Sequence, residues 1–249
     1  MICNDKDSIH PWYRMSGVEP KVKLFEAISQ GDLDFIKKRI QEGSDINQKI
    51  SLPEHKIFGW TSLHIAVSAE KREALSLLIS LGAKVDAQED KEDLTPLHMA
   101  VAKNQIEIVQ LLVNAKAYVD IQQLDGDTAL ILAATEGYLQ IVKILLEANA
   151  DTHLKDNLGW TALIWAATNG QTEVIKLLVS EKLTVHEGEN ESDRTALLIA
   201  ASVGNTEIAK LLIHEGYDFG IPGFQKALMA AATNGHFEIV EILRKHNLR

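Results

Sequence analysis

Residues 94–100 read Leu-Thr-Pro-Leu-His-Met-Ala, and related copies of this stretch recur along the chain. Each copy consists of a threonine, a leucine two residues later and an alanine-rich run. The copies begin 33 or 34 residues apart, at Thr61, Thr95, Thr128, Thr161 and Thr195. Self-similarity at a fixed period of this size is typical of a repeat protein, in which each period forms one supersecondary unit.

A second apolar segment follows each copy and repeats with the same period. Its apolar residues recur at i, i+3 and i+4, as in Ile108–Leu112 and Ile141–Leu146, which indicates one face of a helix. Glycines such as Gly137 and Gly170 lie between the two segments, where the backbone must reverse. A unit of two short helices cannot bury both alone, so neighbouring units must stack. The sequence therefore predicts an all-α solenoid of about seven stacked helix pairs joined by β-hairpin-like loops.

Residues 94–100 resemble the Thr-Pro-Leu-His signature that opens the inner helix of an ankyrin repeat, and residues 60–66, Trp-Thr-Ser-Leu-His-Ile-Ala, are a near match. The resemblance covers residues 21–249. Later units depart from it, because alanine replaces the proline and an aliphatic residue replaces the histidine. The resemblance implies an ankyrin-repeat fold in which His64 and His98 hydrogen-bond loop backbone. It also implies a concave surface of inner helices and hairpin tips that selects a protein partner.

The predicted repeat domain, residues 21–249, follows a segment, residues 1–20, that does not match the repeat. This segment either covers the exposed first repeat or is a short docking motif. The connection after the first unit is long and predicts an extended loop around residues 50–59, whereas the link that contains residues 220–223 is short. The predicted units are approximately 21–49, 59–90, 93–124, 126–157, 159–190, 193–221 and 224–249.

The composition argues against several functional classes. The 249 residues are 46% hydrophobic, enough for a buried core, yet contain no apolar run of membrane-spanning length and no apolar signal core at the start. The formal net charge of −10, without a basic stripe in the repeats, argues against nucleic acid as a partner. Cys3 is the only cysteine, so neither an internal disulfide nor a paired-thiolate metal site is possible. We expect a cytoplasmic monomer that does not bind membranes.

No pattern in the sequence supplies catalytic chemistry. The phosphate-cradling Gly-x-x-x-x-Gly-Lys-Ser/Thr run and the dinucleotide fingerprint are both absent, and the histidines lack metalloprotease spacing. Acidic loops such as Glu89–Asp93 lack the calcium-loop pattern and are interpreted as solvated turns. We therefore predict no catalytic residue, no metal site and no cofactor, in a protein that is not an enzyme. An enzyme with an unrecognised site among the loops is the third alternative.

The repeat register places large apolar residues on the hairpin tips and directly before the motif threonines. Trp60 and Trp160 occupy matching positions in two non-adjacent repeats. Tryptophan is over-represented at binding hot spots, so these rings are either anchors for a partner or packing against a neighbouring hairpin. Trp165, inside an inner helix, is predicted to pack in the core or between repeats. The predicted partner-binding residues are Phe58, Trp60, Leu94, Leu124, Asp125, Asp127, Glu136, Leu158, Trp160 and Arg194.

Three of these residues, Asp125, Asp127 and Glu136, make the middle of the predicted surface acidic. A partner with lysine or arginine beside apolar groups would complement it, although acidic residues can also serve only to keep a stacked protein soluble. The predicted function is a non-catalytic adaptor or inhibitor that binds one protein partner on the concave face. The alternative is a microbial effector that binds a host protein in the host cytosol, and the sequence does not separate the two.

Overall fold

The computed structural model describes residues 20–52, 56–180, 191–214 and 220–246. Within these ranges the chain forms fourteen helices, in seven consecutive pairs of an inner and an outer helix, and one two-stranded antiparallel sheet. The prediction of an all-α repeat fold is therefore confirmed. Residues 1–19, predicted either to cap the first repeat or to form a docking motif, lie outside the described residues.

The chain divides into two compact units, Met1–Asp125 and Gly126–Arg249. In the first unit, the inner helices α1, α3 and α5 pack on one another in order, and so do the outer helices α2, α4 and α6. A β-hairpin follows the first helix pair. The bounds are α1 Pro20–Gln30, α2 Leu33–Gln41, β1 Ile50–Leu52, β2 Ile57–Trp60, α3 Ser62–Ser68, α4 Arg72–Ser80, α5 Pro96–Ala102 and α6 Ile106–Asn114.

The second unit repeats this arrangement with four helix pairs among its described residues. The inner helices α7, α9, α11 and α13 pack in order, as do the outer helices α8, α10, α12 and α14. Each unit thus buries a core between an inner and an outer layer of helices. The bounds are α7 Ala129–Glu136, α8 Leu139–Glu147, α9 Ala162–Thr168, α10 Thr172–Ser180, α11 Glu191–Val203, α12 Thr206–His214, α13 Gly220–Thr233 and α14 Phe237–His246.

Two of the motif threonines, Thr95 and Thr128, cap inner helices with their side chains. Thr95 Oγ1 accepts a hydrogen bond from the His98 amide at 3.3 Å, while His98 Nδ1 accepts one from the Thr95 amide at 3.2 Å. Pro96 occupies the first helical position, where its missing N–H has no partner to lose. Where Ile131 replaces the histidine, the threonine half of the cap remains, and Thr128 Oγ1 accepts from the Ile131 amide at 3.2 Å. The signature is therefore a two-way helix cap that tolerates loss of one half.

Small residues on the inner helices allow the pairs to stack closely. Ala133, Ala134, Ala166 and Ala167 are fully buried in α7 and α9, which pack on each other. A larger side chain at such a position would overpack the core, which typically costs about 1–3 kcal/mol. Leu145 and the other buried leucine, isoleucine and valine residues of the outer helices close the core from the opposite side. The alanine-rich run of the sequence motif thus sets the spacing between repeats.

Two turn glycines leave room for side chains that link neighbouring repeats. Gly137 and Gly204 both have positive φ, at 76° and 81°. A Cβ on Gly137 would meet the Gln171 side chain, and one on Gly204 would meet the His236 ring at 2.5 Å. Gln171 Nε2 donates to the Thr135 carbonyl at 3.2 Å, and His236 Nε2 makes the matching contact with the Ser202 carbonyl at 3.1 Å. These glycines are therefore required by inter-repeat hydrogen bonds as well as by the turn.

Gly204→Ala is expected to destabilise the second unit by about 2 kcal/mol, because the left-handed backbone and the lost place for His236 both contribute. Gly235→Ala is the matched control, since Gly235 has φ 79° but no atom within 4 Å of an added Cβ. Gly235→Ala should lower the free energy of unfolding only through the strain of its left-handed backbone, by about 1 kcal/mol. Urea unfolding of the two variants measures the difference, and equal midpoints would contradict the role given to His236.

The long connection predicted around residues 50–59 forms the hairpin of β1 and β2. Ile50 lies opposite Trp60 across the two strands, and the Gly59 amide donates to Ser51 Oγ at 2.9 Å. On its other edge β2 bonds to the loop of the next repeat, where the Asp90 amide donates to the Phe58 carbonyl at 2.9 Å. The sequence located this extended connection but did not predict its strands.

Two inner helices begin earlier than predicted. The helix α11 starts at Glu191, so Arg194, directly before the motif threonine, lies in a first helical turn. Its role in partner binding stays a prediction. The helix α13 starts at Gly220, so residues 220–223 belong to a helix although they were predicted to form a link. Acidic residues and proline are both tolerated in a first turn, which is compatible with these early starts. The Arg194 side chain lies outside the described residues.

Candidate protein-binding surface

In the first unit, large apolar residues lie on β2 and on loops next to the inner helices. Phe58, Trp60 and Leu94 are half-buried, whereas Leu124 exposes 57% of its surface. Opposite side chains on one face of a hairpin contact each other, so Ile50 shields one part of Trp60. Each of these predicted tip residues therefore presents part of its apolar surface to solvent.

In the second unit, one buried carboxylate organises the tip loop. Asp156 is 8% exposed, and its amide donates to the Trp160 carbonyl at 2.9 Å, which closes the loop. Its Oδ1 accepts from the amides of Leu158 at 2.9 Å and Trp160 at 2.8 Å. Its Oδ2 accepts from the Trp165 indole Nε1 at 2.7 Å. Asp156 thus ties the loop that carries Trp160 to the inner helix that carries Trp165.

The two tryptophans of this unit form a pair. The ring centroids of Trp160 and Trp165 are 4.8 Å apart with the planes tilted by 56°, an arrangement favourable for aromatic rings. Both residues are half-buried, so the prediction that Trp165 packs in the core or between repeats holds only in part. Leu158, at the tip itself, exposes 69% of its surface. The pair is therefore pre-positioned yet still reachable by a partner.

In the first unit, Glu89 organises a tip loop in the same way as Asp156 does in the second unit. Glu89 is buried and accepts hydrogen bonds from the amides of Lys91 at 3.1 Å and Leu94 at 3.4 Å, and from the Glu92 amide. Its own amide donates to the Leu94 carbonyl at 3.0 Å. The longer loop here requires the longer acidic side chain. The sequence analysis interpreted acidic loops as solvated turns, so it did not predict the buried carboxylates of Glu89 and Asp156.

The inner helices of the second unit present two parallel rows of side chains. Leu132, Trp165 and Ile199 lie at the same register position of α7, α9 and α11 and are all half-buried; we name them the apolar row. One helical turn later stand Glu136, Asn169 and Val203, which are all exposed; we name them the edge row. Val203 exposes 56% of its surface. This face therefore carries solvent-accessible apolar area on three adjacent helices.

The hydroxyl groups between these rows bond within their own helices. Thr135 Oγ1 donates to the Ile131 carbonyl at 2.8 Å, and Thr168 Oγ1 donates to the Ile164 carbonyl at 2.9 Å. Ser202 repeats this pattern in α11 at 2.8 Å. Bonding of serine and threonine to the carbonyl four residues earlier uses up the hydroxyl proton. The face consequently offers few free hydrogen-bond donors to a ligand.

The family model for ankyrin repeats (3 copies) matches residues 24–123, 116–186 and 181–249. The chain belongs to the ankyrin-repeat family. The resemblance drawn from the sequence is thus confirmed, as is the role it implied for His64, whose Nε2 donates to the Leu94 carbonyl at 2.9 Å. Each matched stretch spans more than one helix pair, so the match establishes the family without counting the ankyrin repeats.

Two curated relatives share the name protein phosphatase 1 regulatory subunit 27. The Mus musculus protein is 40% identical over 88 residues, which cover 35% of this chain and 49% of the relative. The Homo sapiens protein is 39% identical over 87 residues, which cover 35% of this chain and 48% of the relative. The match therefore spans about half the length of these relatives. Together with the ankyrin repeats, they indicate a protein that interacts with another protein.

Two of the predicted acidic residues of this ankyrin-repeat protein, Asp127 and Glu136, lie at opposite ends of α7. Asp125 is the last residue of the first unit, and its amide donates to Gln123 Oε1 at 3.2 Å. Asp127 precedes the N-terminus of α7, whereas Glu136 ends that helix. A helix rises 1.5 Å per residue, so about 13 Å of chain separates the two residues. The two carboxylates of the second unit therefore act at different places.

The described residues contain no group of three or more side chains suited to hold a metal ion. None of their helices has the length and apolar character needed to cross a membrane. An open depression of about 520 Å³ in the second unit is lined by turn residues, among which Glu207 is the only acidic or basic side chain. Burial lowers the pKa of His64 to about 4, and burial with the nearby Glu136 charge raises the pKa of Tyr138. Neither group lines that depression, so these pKa shifts do not indicate a catalytic site there.

Proposed function

We propose that this ankyrin-repeat chain is a non-catalytic adaptor or inhibitor that holds a protein partner through its hairpin tips and inner helices. The observation that carries this proposal is the Trp160–Trp165 pair, fixed by Asp156 beside the exposed Leu158. Rigid, partly exposed aromatic residues are the side chains that most often dominate binding energy.

Trp60 in the first unit and Trp160 in the second are the proposed anchors, each within its own unit. Both rings are half-buried, so packing and partner contact are compatible at these positions. A contacting residue with a fixed ring loses little conformational freedom on binding, which favours affinity. Phe58, Leu94, Leu124 and Leu158 complete the proposed tip surfaces.

The name of the two relatives makes protein phosphatase 1 the first partner to test. The exposed Glu136 and the half-buried Asp127 favour a partner that presents basic side chains next to apolar ones. The single cysteine is compatible with a cytoplasmic location, which belongs to this proposal.

Substitution of the anchors tests the proposal. Trp60→Ala and Trp160→Ala are each expected to weaken binding of protein phosphatase 1 about tenfold in titration calorimetry, as loss of an aromatic hot spot does. Phe237→Ala is the control, because this aromatic residue is more accessible than either tryptophan, at 73% exposed, but lies on the outer helix α14. It should leave the affinity unchanged.

Circular dichroism must show that all variants keep their helices. A folded chain that carries both Trp60→Ala and Trp160→Ala and still binds with unchanged affinity would refute the proposal that these residues are anchors. Absence of binding by the wild-type chain would exclude protein phosphatase 1 as the partner.

A further inference from the structure

The inner-helix face of the second unit is almost uncharged. Over α7, α9 and residues 196–203 of α11, Glu136 is the only charged side chain, whereas the paired outer helices α8, α10 and α12 carry six acidic and basic side chains. The fourth inner helix, α13, carries one, Lys226. Solvent-facing positions of a surface helix are normally polar or charged. The apolar row of Leu132, Trp165 and Ile199 departs from this rule on three consecutive helices. Such a face is suited to contact an apolar surface of another molecule.

The hydrogen-bonding capacity of this face decides what can cover it. The hydroxyl groups of Thr135, Thr168 and Ser202 donate to their own helices, so they cannot donate to a bound chain. An extended peptide would leave its backbone groups without partners on such a surface, which is costly when they are buried. A helix satisfies its backbone internally. The face therefore favours a helical ligand.

The spacing of the rows agrees with a helical ligand. Packed helices lie about 8–10 Å apart, so successive members of the apolar row are separated by roughly that distance. Residues i and i+7 of an α-helix lie about 10.5 Å apart along its axis. A helix lying across α7, α9 and α11 can therefore place one apolar side chain against each member of the row.

The edge row gives the ligand a direction. It passes from the acidic Glu136 through the amide of Asn169 to the apolar Val203. Glu136 forms no ion pair within the described residues, whereas Lys176 and Lys210 on the outer helices pair with glutamates. A basic residue at one end of the ligand would complement Glu136, and an apolar residue at the other end would cover Val203.

The first unit lacks this face. At the register positions of the apolar row it has Ile65 and Met99, which expose 1% and 6% of their surface. Ala69 and Lys103 stand at its edge-row positions. The combination of accessible apolar row and graded edge row is thus specific to the second unit.

We propose that the inner-helix face of the second unit binds an amphipathic α-helix of a partner protein, apolar at heptad spacing and with a lysine or arginine at the end that meets Glu136. This inference rests on the proposed protein-binding function and adds the kind of segment that is bound. The helix lies across α7, α9 and α11, with the Trp160–Trp165 pair as the rigid centre of its contact surface.

The test uses the full chain and a phage-displayed library of amphipathic helices of about 18 residues, long enough at 1.5 Å per residue to cross three helices. Enriched peptides are expected to carry apolar residues at i and i+7 and a basic residue near one end. Val203→Lys and Glu136→Lys should each weaken binding of such a peptide about tenfold in fluorescence anisotropy. A peptide with glutamate in place of its basic residue should recover affinity for the Glu136→Lys variant.

Leu139→Lys is the matched control, because it places the same charge at an exposed apolar position of the outer helix α8. Enriched peptides that bind Val203→Lys and the wild-type chain equally would overturn the inference. So would a failure to enrich helices by a chain that still binds a protein partner through Trp60 and Trp160. In both cases the proposed protein-binding function would stand. A Trp60→Ala variant that loses the protein partner yet still binds the helical peptide would instead support the inference, because Trp60 is not part of the proposed helix-binding face.

Discussion

Acidification from pH 7 to pH 4 is expected to lower the free energy of unfolding of the first unit by about 3 kcal/mol through His64 alone. His64 is completely buried in α3. Burial lowers its pKa from the usual 6.5 to about 4; the Lys49 charge lowers it further, and the hydrogen bond to the Leu94 carbonyl opposes the shift. The histidine of this helix cap therefore also makes the stability of the first unit depend on pH.

The direction of the effect follows from proton binding in the two states. The unfolded chain takes up a proton on this imidazole near pH 6.5, whereas the folded chain keeps it neutral until about pH 4. The unfolded state binds more protons throughout this window, so the free energy of unfolding falls as the pH falls from 6.5 to 4. Above pH 6.5 the ring is neutral in both states, so the free energy of unfolding no longer changes with pH through His64. One pKa unit corresponds to about 1.4 kcal/mol, which gives the expected size.

The hydrogen bond that Nδ1 of His64 accepts favours the neutral ring. Nδ1 of His64 accepts from the Thr61 amide at 3.1 Å, while Nε2 donates to the Leu94 carbonyl at 2.9 Å. Protonation of Nδ1 would set two donors against each other at the start of α3. The His64 ring links one repeat to the loop of the next. Loss of its hydrogen bonds on protonation therefore weakens both the helix cap and the contact between repeats.

Urea unfolding at pH 7, 5.5 and 4 measures this contribution. His64→Gln should flatten the dependence of the midpoint on pH, because glutamine can accept and donate at similar places without titrating. His153→Gln, at an exposed loop position, is the matched control and should keep the wild-type dependence. A His64→Gln variant that loses stability with pH as steeply as the wild-type chain would refute the assignment.

The repeat and its cap could be predicted because they depend on residues that are close in sequence. Thr95, Pro96 and His98 form their contacts within one helical turn. The strand pairing of β1 and β2 could not be predicted in the same way. It depends on the Asp90 loop, which lies beyond the next helix pair and holds the Phe58 carbonyl. A contact of that range has no local signal in the sequence.

The candidate site was predictable as a set of tip residues but not as an arrangement. Asp156 looks in the sequence like any acidic residue of a polar loop, because its role depends on an indole that lies nine residues later, on α9. The helical position of Arg194 was not predicted for a related reason, since α11 extends beyond the motif and packs on both α9 and α13. Register predicts which residues share a face, whereas the hydrogen bonds that fix them require the folded neighbours.

Asp156→Ala is expected to lower the free energy of unfolding of the second unit by about 3 kcal/mol, since hydrogen bonds to a charged acceptor contribute about 1.5–3 kcal/mol each and do not add fully. Three donors lose their acceptor: the amides of Leu158 and Trp160 and the indole of Trp165. The amides can turn to water when the loop opens. The indole cannot do so without leaving Trp160, so the tryptophan pair should separate.

Tryptophan emission follows this separation when Trp12 and Trp60 are replaced by phenylalanine, which leaves Trp160 and Trp165 as the only indoles. Asp156→Ala in this background should shift the emission to longer wavelength, as both rings gain contact with water. Asp156→Asn is the closer probe. Its oxygen can still accept the two amides, but its NH₂ group faces the indole N–H of Trp165, so the loop should hold while the pair loosens.

Asp151→Ala removes an exposed carboxylate that accepts from the His153 amide at 2.8 Å in the preceding turn, and it serves as the control for loss of a loop acid. It should cost less than about 1 kcal/mol, because water replaces an exposed acceptor. If Asp156→Ala behaved like Asp151→Ala in both urea midpoint and emission, the carboxylate would not be what holds the pair. An intermediate cost for Asp156→Asn with shifted emission would instead separate the two duties of Asp156, with Oδ1 closing the loop and Oδ2 setting the indole.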